Sequence, residues 1–261
     1  MSESNKRNFI VHGSILAIAG ILVRIIGMLY RIPVVNIIGS EGNGIYGAAF
    51  NIYNIMLVLS SYGLPMAVSK LVSARFTKKR YKSAAKVLRC SLMVAVCTGG
   101  IAALLVFFGA SFIENVIYGG GLPGLAVPLR ILAPTIFLVA ILGVIRGFFQ
   151  GQSTMIPTAV SQILEQIVNA IVSIAAGYGM MKAFASSPDV AAYGAAGSTL
   201  GTAMGALTAV LFMGFLYAVY TPTFNRLKRK DRHTENQSTG QICKIIIYTM
   251  IPIILGQTFY I

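Results

Sequence analysis

Two arginines, Arg24 and Arg31, interrupt an otherwise apolar stretch near the start of the chain. They lie seven residues apart, which places them on nearly one face of a helix. A charge at the centre of a bilayer costs roughly 2.5–3.5 kcal/mol on insertion scales, so an intramembrane arginine points to function. Neither has an acidic neighbour within a helical turn. A guanidinium grips phosphate oxygens with a two-pronged fork, so the chemistry this pair predicts is capture of an anionic headgroup. The competing account is structural, with Arg31 snorkelling to the interface and Arg24 paired with Glu165. Gly13, Gly20 and Gly27 repeat along the same stretch and predict close approach by another helix.

A second polar set is Gln162, Glu165, Gln166 and Asn169, whose spacing puts all four on one helical face. Lipid would not tolerate that stripe, so it faces a cavity or a partner helix. Glu165 is the acid embedded in the middle of an apolar helix. It reads as the partner of an arginine, because an unpaired buried carboxylate would tend to protonate, or as a proton or cation site. Asn51, Asn54 and Ser61 form a third set, followed by Pro65, which predicts a kink, and Lys70. This face turns either to water or to another polar helix. Gly197, Gly201 and Gly205 form a doubled small-residue motif and predict a packing face.

Signals for an enzyme are weak. His12 and His233 are far apart, Asp189 and Asp231 are isolated, and no nucleophile elbow, phosphate loop or paired-histidine zinc motif occurs. Cys90, Cys97 and Cys243 lack metal-ligand spacing. No cofactor and no metal is expected, and the chain is read as a non-enzyme.

The elements that must carry these residues are membrane helices. The chain is 56% hydrophobic and 11% charged, with a mean hydropathy of +0.76. Soluble domains carry about a quarter charged residues. Apolar runs predict helices over 9–38, 46–73, 84–108, 127–149, 157–181 and 193–220, with a seventh from about residue 242 to the chain end. Each meets the roughly 20 residues that a span requires. The first run continues too far for a signal peptide. The fold class is therefore an all-α polytopic membrane protein, a six-helix bundle plus the start of a seventh helix. Residues 1–221 form the first lobe, 222–240 a basic cytoplasmic linker, and 241–261 the first helix of a second lobe.

The net charge of +14 comes from 21 basic against 7 acidic residues. The basic residues cluster at 75–82 and 226–232, with Lys6 and Arg7 ahead of the first helix and Arg146 ending the fourth. Glu41, Asp189 and the turn Tyr118-Gly119-Gly120-Gly121 fall on the other side. That distribution predicts a cytoplasmic N-terminus in a bacterial cytoplasmic membrane. The basic runs act as topology determinants or as a lipid-binding patch, and a nucleic-acid partner is not expected.

Two stretches carry a resemblance. One reads Arg24-Ile25-Ile26-Gly27-Met28-Leu29-Tyr30-Arg31-Ile32-Pro33, followed by Gly44-Ile45-Tyr46-Gly47 and Gly63-Leu64-Pro65. The other reads Arg146-Gly147-Phe148-Phe149-Gln150-Gly151, then Met155-Ile156-Pro157-Thr158-Ala159, Ser161-Gln162 and Glu165-Gln166. Together they resemble the stage V sporulation protein B branch of the polysaccharide biosynthesis family. That branch is similar to MurJ-type lipid II flippases, in the superfamily that includes multidrug and toxin extruders. The resemblance implies one lobe of a two-lobed transporter that moves a polyprenyl-diphosphate-linked sugar, a peptidoglycan or polysaccharide precursor, around a cationic cavity. Arg24 matches the first cavity arginine of the MurJ-type motif, and Arg31 stands one residue beyond the second. The helix-2 arginine of that motif has no counterpart in Ile55-Met56-Leu57-Val58. The partners expected are the anionic lipid-linked sugar, membrane lipids, and a second lobe or cell-wall synthesis proteins. A cation-coupled multidrug antiporter and a non-transporting membrane scaffold are the rivals.

Overall fold

The computed structural model describes residues 3–232 and 237–258. His233 and the last residues of the expected seventh helix lie outside them, as do the side chains of Lys6, Arg7 and His12. The described residues fold into helices α1 (Glu3–Ser60), α2 (Gly63–Thr77), α3 (Tyr81–Phe112), α4 (Ala126–Gly151), α5 (Ile156–Ala183), α6 (Val190–Lys230) and α7 (Thr239–Thr258), with one π-helical turn at Ile113–Ile117. Among the described residues six helical stretches are long and apolar enough to cross a membrane, the first of them running Gly13–Thr77. Large apolar side chains lie open on the outside, among them Phe108, Leu105, Phe215 and Leu211. Water would penalise such a surface and lipid tails do not. The chain is a multi-pass membrane protein.

At about 1.5 Å per residue, the 58 residues of α1 would reach roughly 87 Å, nearly three bilayer cores. It folds back instead at Gly39, whose backbone (φ 70°, ψ −175°) is open to glycine and strained for other residues. The stretch 40–45, expected as a loop, is helical, because this single glycine makes the reversal. The first arm (residues 3–38) and the second (40–60) thus become two crossings.

The expected kink near Pro65 is a full break. The helix stops at Ser61 and Tyr62, and Pro65 sits in the first turn of α2, where its missing N–H leaves no bond unmade. Leu64 N turns to Ser61 O, and the Ser60 carbonyl so released is met by the Thr98 hydroxyl of α3 at 3.1 Å. In lipid such a carbonyl must find a partner inside the protein.

Glycines set the helix contacts. A Cβ on Gly205 would lie 2.6 Å from Glu165 O, and one on Gly201 would lie 2.5 Å from Asn169 O, so α6 packs directly on the backbone of α5. Gly143, Gly147 and Gly151 play the same part for α4 against Pro65, Ser69 and Val72 of α2. The small-residue repeat of the first arm does not. Gly13 and Gly20 have open space beside them, and Gly27 alone is approached, by Gln166 Nε2 at 3.0 Å from a built Cβ.

α6 runs ten residues past its expected end, so 222–230 are helix and not linker. Phe224 explains the extension. It is buried among Phe76, Phe148 and Tyr220, an aromatic cluster that ties α2, α4 and α6 together. The chain then leaves α6 at Asp231, whose carboxylate accepts the Lys82 amide at 2.8 Å and caps α3.

Candidate functional site

The fold at Gly39 brings the first arm of α1 back against the second. Between them lies a cavity of about 620 Å³, lined by Gly27, Met28, Arg31, Ile32, Val35 and Asn36 from the first arm and by Asn43 from the second. The Arg31 guanidinium stands over the Tyr46 ring, 6.0 Å from its centroid, a cation–π distance that fixes its direction without neutralising it. Asn43 Oδ1 is buried and has no hydrogen-bond partner. A buried acceptor with no partner in the chain can take a donor from a water or a ligand.

Arg24 is exposed on the strip that continues 27, 28, 31 and 35 towards the other end of the arm. Arg24 and Arg31 are separated by about 10 Å along the axis, seven residues at 1.5 Å each. Among the described residues no carboxylate is within ion-pair distance of either. Asn54 shares a strip with Asn43, and it lies as far beyond Gly39 as Arg24 lies before it. Asn51 and Asn54 are exposed but do not line the cavity around Arg31.

The α5 stripe divides. Glu165 Oε2 accepts from Arg146 Nη2 at 2.8 Å, with side chains 26% and 14% exposed respectively. Arg146 Nε also donates to Ser161 Oγ at 2.9 Å. The expected arginine partner of Glu165 therefore comes from α4. The pairing of Arg24 with Glu165 does not form, and Arg146 is not merely a charge at a helix end. The signal for this pair was present. α4 and α5 form a hairpin through residues 152–155, and antiparallel register across so short a turn brings 146 near 161 and 165.

Asn169 is buried and its polar atoms are engaged. Its Nδ2 donates to the Tyr30 hydroxyl at 3.3 Å, while Ser173 Oγ stands 2.9 Å from its Oδ1. It docks the first arm on α5. Gln162 and Gln166 are half-buried, and Gln166 reaches the edge of the cavity beside Gly27. Of the eight residues singled out in the sequence, Arg31 lines the cavity and Gln166 borders it. Arg24, Asn51 and Asn54 lie exposed on the two arms, Glu165 and Asn169 are held in packing contacts, and Gln162 is half-buried and does not line the cavity. Asn36 and Asn43, not singled out, complete the polar lining.

A sequence model of the polysaccharide biosynthesis protein family matches residues 10–259. The chain is 34% identical over 176 residues to the lipid II flippase MurJ of Bacillus subtilis (strain 168), covering 65% of the chain and 32% of that protein. It is 30% identical over 210 residues to stage V sporulation protein B of the same organism, covering 80% and 39%. In solved structures the same architecture occurs in a MATE transporter in complex with MaD3S (TM-score 0.74, 17% identity, 94% of this chain and 53% of that one). It also occurs in a Pyrococcus furiosus transporter of the MOP superfamily described as having a binding pocket of reverse polarity (TM-score 0.68, 17% identity, 94% and 52%). These likenesses show a MATE-like fold. The chain spans well under half the length of the curated relatives it matches and about half of the solved chains.

Proposed function

This chain belongs to the polysaccharide biosynthesis protein family, and we propose that it forms the cargo-gripping lobe of a flippase for polyprenyl-diphosphate-linked sugars in the bacterial cytoplasmic membrane. One observation carries this reading: the cation in the cavity is unpaired, while the acid embedded in α5 is neutralised. A pocket so charged attracts an anion and repels a cation. Arg24, nearer the cytoplasmic end of the arm, meets the diphosphate, and Arg31, further along the same strip, receives it as the cargo moves along the arm. Asn36 and Asn43 face the sugar, with Asn43 Oδ1 accepting from a hydroxyl. Asn54 and Asn51 extend the polar track on the second arm, and the apolar outer faces leave the prenyl tail in lipid.

The cation-coupled antiporter is less well supported. It needs an acid free to exchange its ion, and Glu165 is held by Arg146 and Ser161-supported geometry. A scaffold would leave the cavity and its open acceptor without a role. The loop charges support a cytoplasmic N-terminus, with the basic end of the bundle inside.

The test is translocation of a fluorescent polyprenyl-diphosphate sugar in liposomes, using this chain alone and joined to a second lobe. Loss of a charge-assisted contact worth about 1.5–3 kcal/mol lowers transport by about tenfold or more. Arg31→Ala and Arg24→Ala in the two-lobed form are expected to show that loss, and Arg130→Ala, on the surface beside Ser111, is not. Full transport by Arg31→Ala would remove the anion site and with it this reading.

A further inference from the structure

The geometry points to a second anion site, for the phosphate of a lipid headgroup, at the basic end of the bundle. A cavity of about 540 Å³ opens there between α3, the end of α6 and the start of α7. Lys82, Lys86 and Arg89 enter it from one face of α3, their offsets of four and three residues stacking them on successive turns. Lys228 enters from α6, with its ammonium 5.3 Å from the Phe224 ring, and Thr239 closes the wall at the first residue of α7. Among the described residues no carboxylate lines the cavity. Asp231, which begins the connection from α6 to α7, is buried and turned onto the Lys82 amide.

Four cations from two helices in one concave site exceed what topology requires of a loop. Spread over a solvated surface they would serve orientation equally well, whereas gathered around a hollow they repel one another until an anion enters. Gln237, two residues before α7, is held beside them. Lys86 Nζ donates to Gln237 O, and Arg75 donates to Gln237 Oε1 at 3.1 Å. The start of α7 lies at the cavity and adds the positive end of its helix dipole, whereas that of α3 is capped by Asp231.

A lipid is favoured over a soluble anion by what lies below. The cavity is floored by Met93, and Met93 and Val96 continue the face of Arg89 as exposed apolar surface, 48% and 47% accessible. A headgroup in the cavity would therefore leave its acyl chain on apolar side chains, as at other basic pockets on membrane helices. This site is on the opposite side of the chain's logic from the Arg31 cavity and does not rest on the flippase reading. An occupant here touches α3, α6 and the start of α7 together.

The experiment is native mass spectrometry of the purified chain with phosphatidylglycerol or phosphatidylcholine, repeated with inorganic phosphate as competitor. Preferential retention of phosphatidylglycerol is expected. Each basic residue near a membrane surface contributes about fivefold, so Lys86→Gln with Arg89→Gln lowers that retention by about thirtyfold, and Lys228→Gln alone by about fivefold. Arg130→Gln, which removes a charge elsewhere, leaves it unchanged. Should the double variant fold poorly, judged by its elution and melting, Lys228→Gln carries the test from a different helix. Displacement by inorganic phosphate with the same charge dependence would keep the phosphate site and assign it to a free anion. Equal retention of the two lipids, or retention unaltered in the charge variants, would overturn the proposal.

Discussion

Removing one member of the Arg146–Glu165 pair destabilises the bundle more than removing both. Arg146 Nη2 lies 2.8 Å from Glu165 Oε2, and Ser161 Oγ takes the neighbouring Nε at 2.9 Å. With 14% and 26% of the two side chains exposed, the pair is largely cut off from water. Stranding one charge of a buried pair costs roughly 3–5 kcal/mol. Residual exposure favours the lower end, so Arg146→Met or Glu165→Met alone is expected to lose about 3 kcal/mol. The double variant strands no charge and gives up only the bond and some packing, about 2 kcal/mol in all. The coupling is then about 4 kcal/mol, near a thousandfold in the unfolding constant. Reversible unfolding of the four proteins in mixed detergent micelles, followed by helical circular dichroism, measures it. Additivity within about 0.5 kcal/mol would refute the argument, and Glu165 would again be open to a coupling role.

Gly39→Ala is expected to lose about 1–3 kcal/mol from backbone strain alone, since open space surrounds this glycine; an unchanged melting temperature in detergent would mean that the reversal does not depend on its positive φ. Gly147→Ala puts a methyl group 2.6 Å from Pro65 O and is expected to lose about 1–3 kcal/mol by overpacking. Gly179→Ala meets nothing and is expected to hold or gain up to about 1 kcal/mol, so equal effects of the two in the same melting assay would contradict the α2–α4 contact. Asp231→Ala removes the carboxylate that caps α3 at 2.8 Å and is expected to lose about 1–2 kcal/mol, with faster amide exchange at Lys82; protection unchanged at that amide would count against the cap.

The spans were legible because each is a long apolar run, and lipid demands such runs of any helix that crosses it. Their ends were less so. The helix beyond Tyr220 is basic and contains Pro222, yet it continues because Phe224 has an aromatic cluster to fill, a reward no local pattern announces. Gly39 was hidden for the opposite reason, since one residue turned the chain where several polar ones suggested a loop. Among polar residues, the α5 stripe was readable as a face, but its partner helix was not. Periodicity fixes direction about one axis and says nothing of which neighbour stands there. The glycines of the first arm illustrate the same limit, for their spacing is that of a packing motif and Gly13 and Gly20 pack against nothing.

The division of the polar residues has a consequence for cargo. Asn169 holds Tyr30, and Glu165 holds Arg146, so α5 gives most of its polarity to fixing its neighbours. The first arm keeps its arginines free, and it stands on the chain side of a single-glycine reversal with an open flank beside Gly13, Gly20 and Gly39. A lobe built this way has a rigid part, α4 to α6, sealed by glycine contacts and an ion pair, with the arm that carries the charge docked on α5. On the proposed reading, selectivity rests on very few side chains. Exchanging Arg31 for an acid would reverse the sign of the cavity without disturbing a packed contact, because its neighbour there is the face of one tyrosine. Relatives with the same helices can therefore differ in the charge of what they bind, and the fold by itself does not identify the cargo.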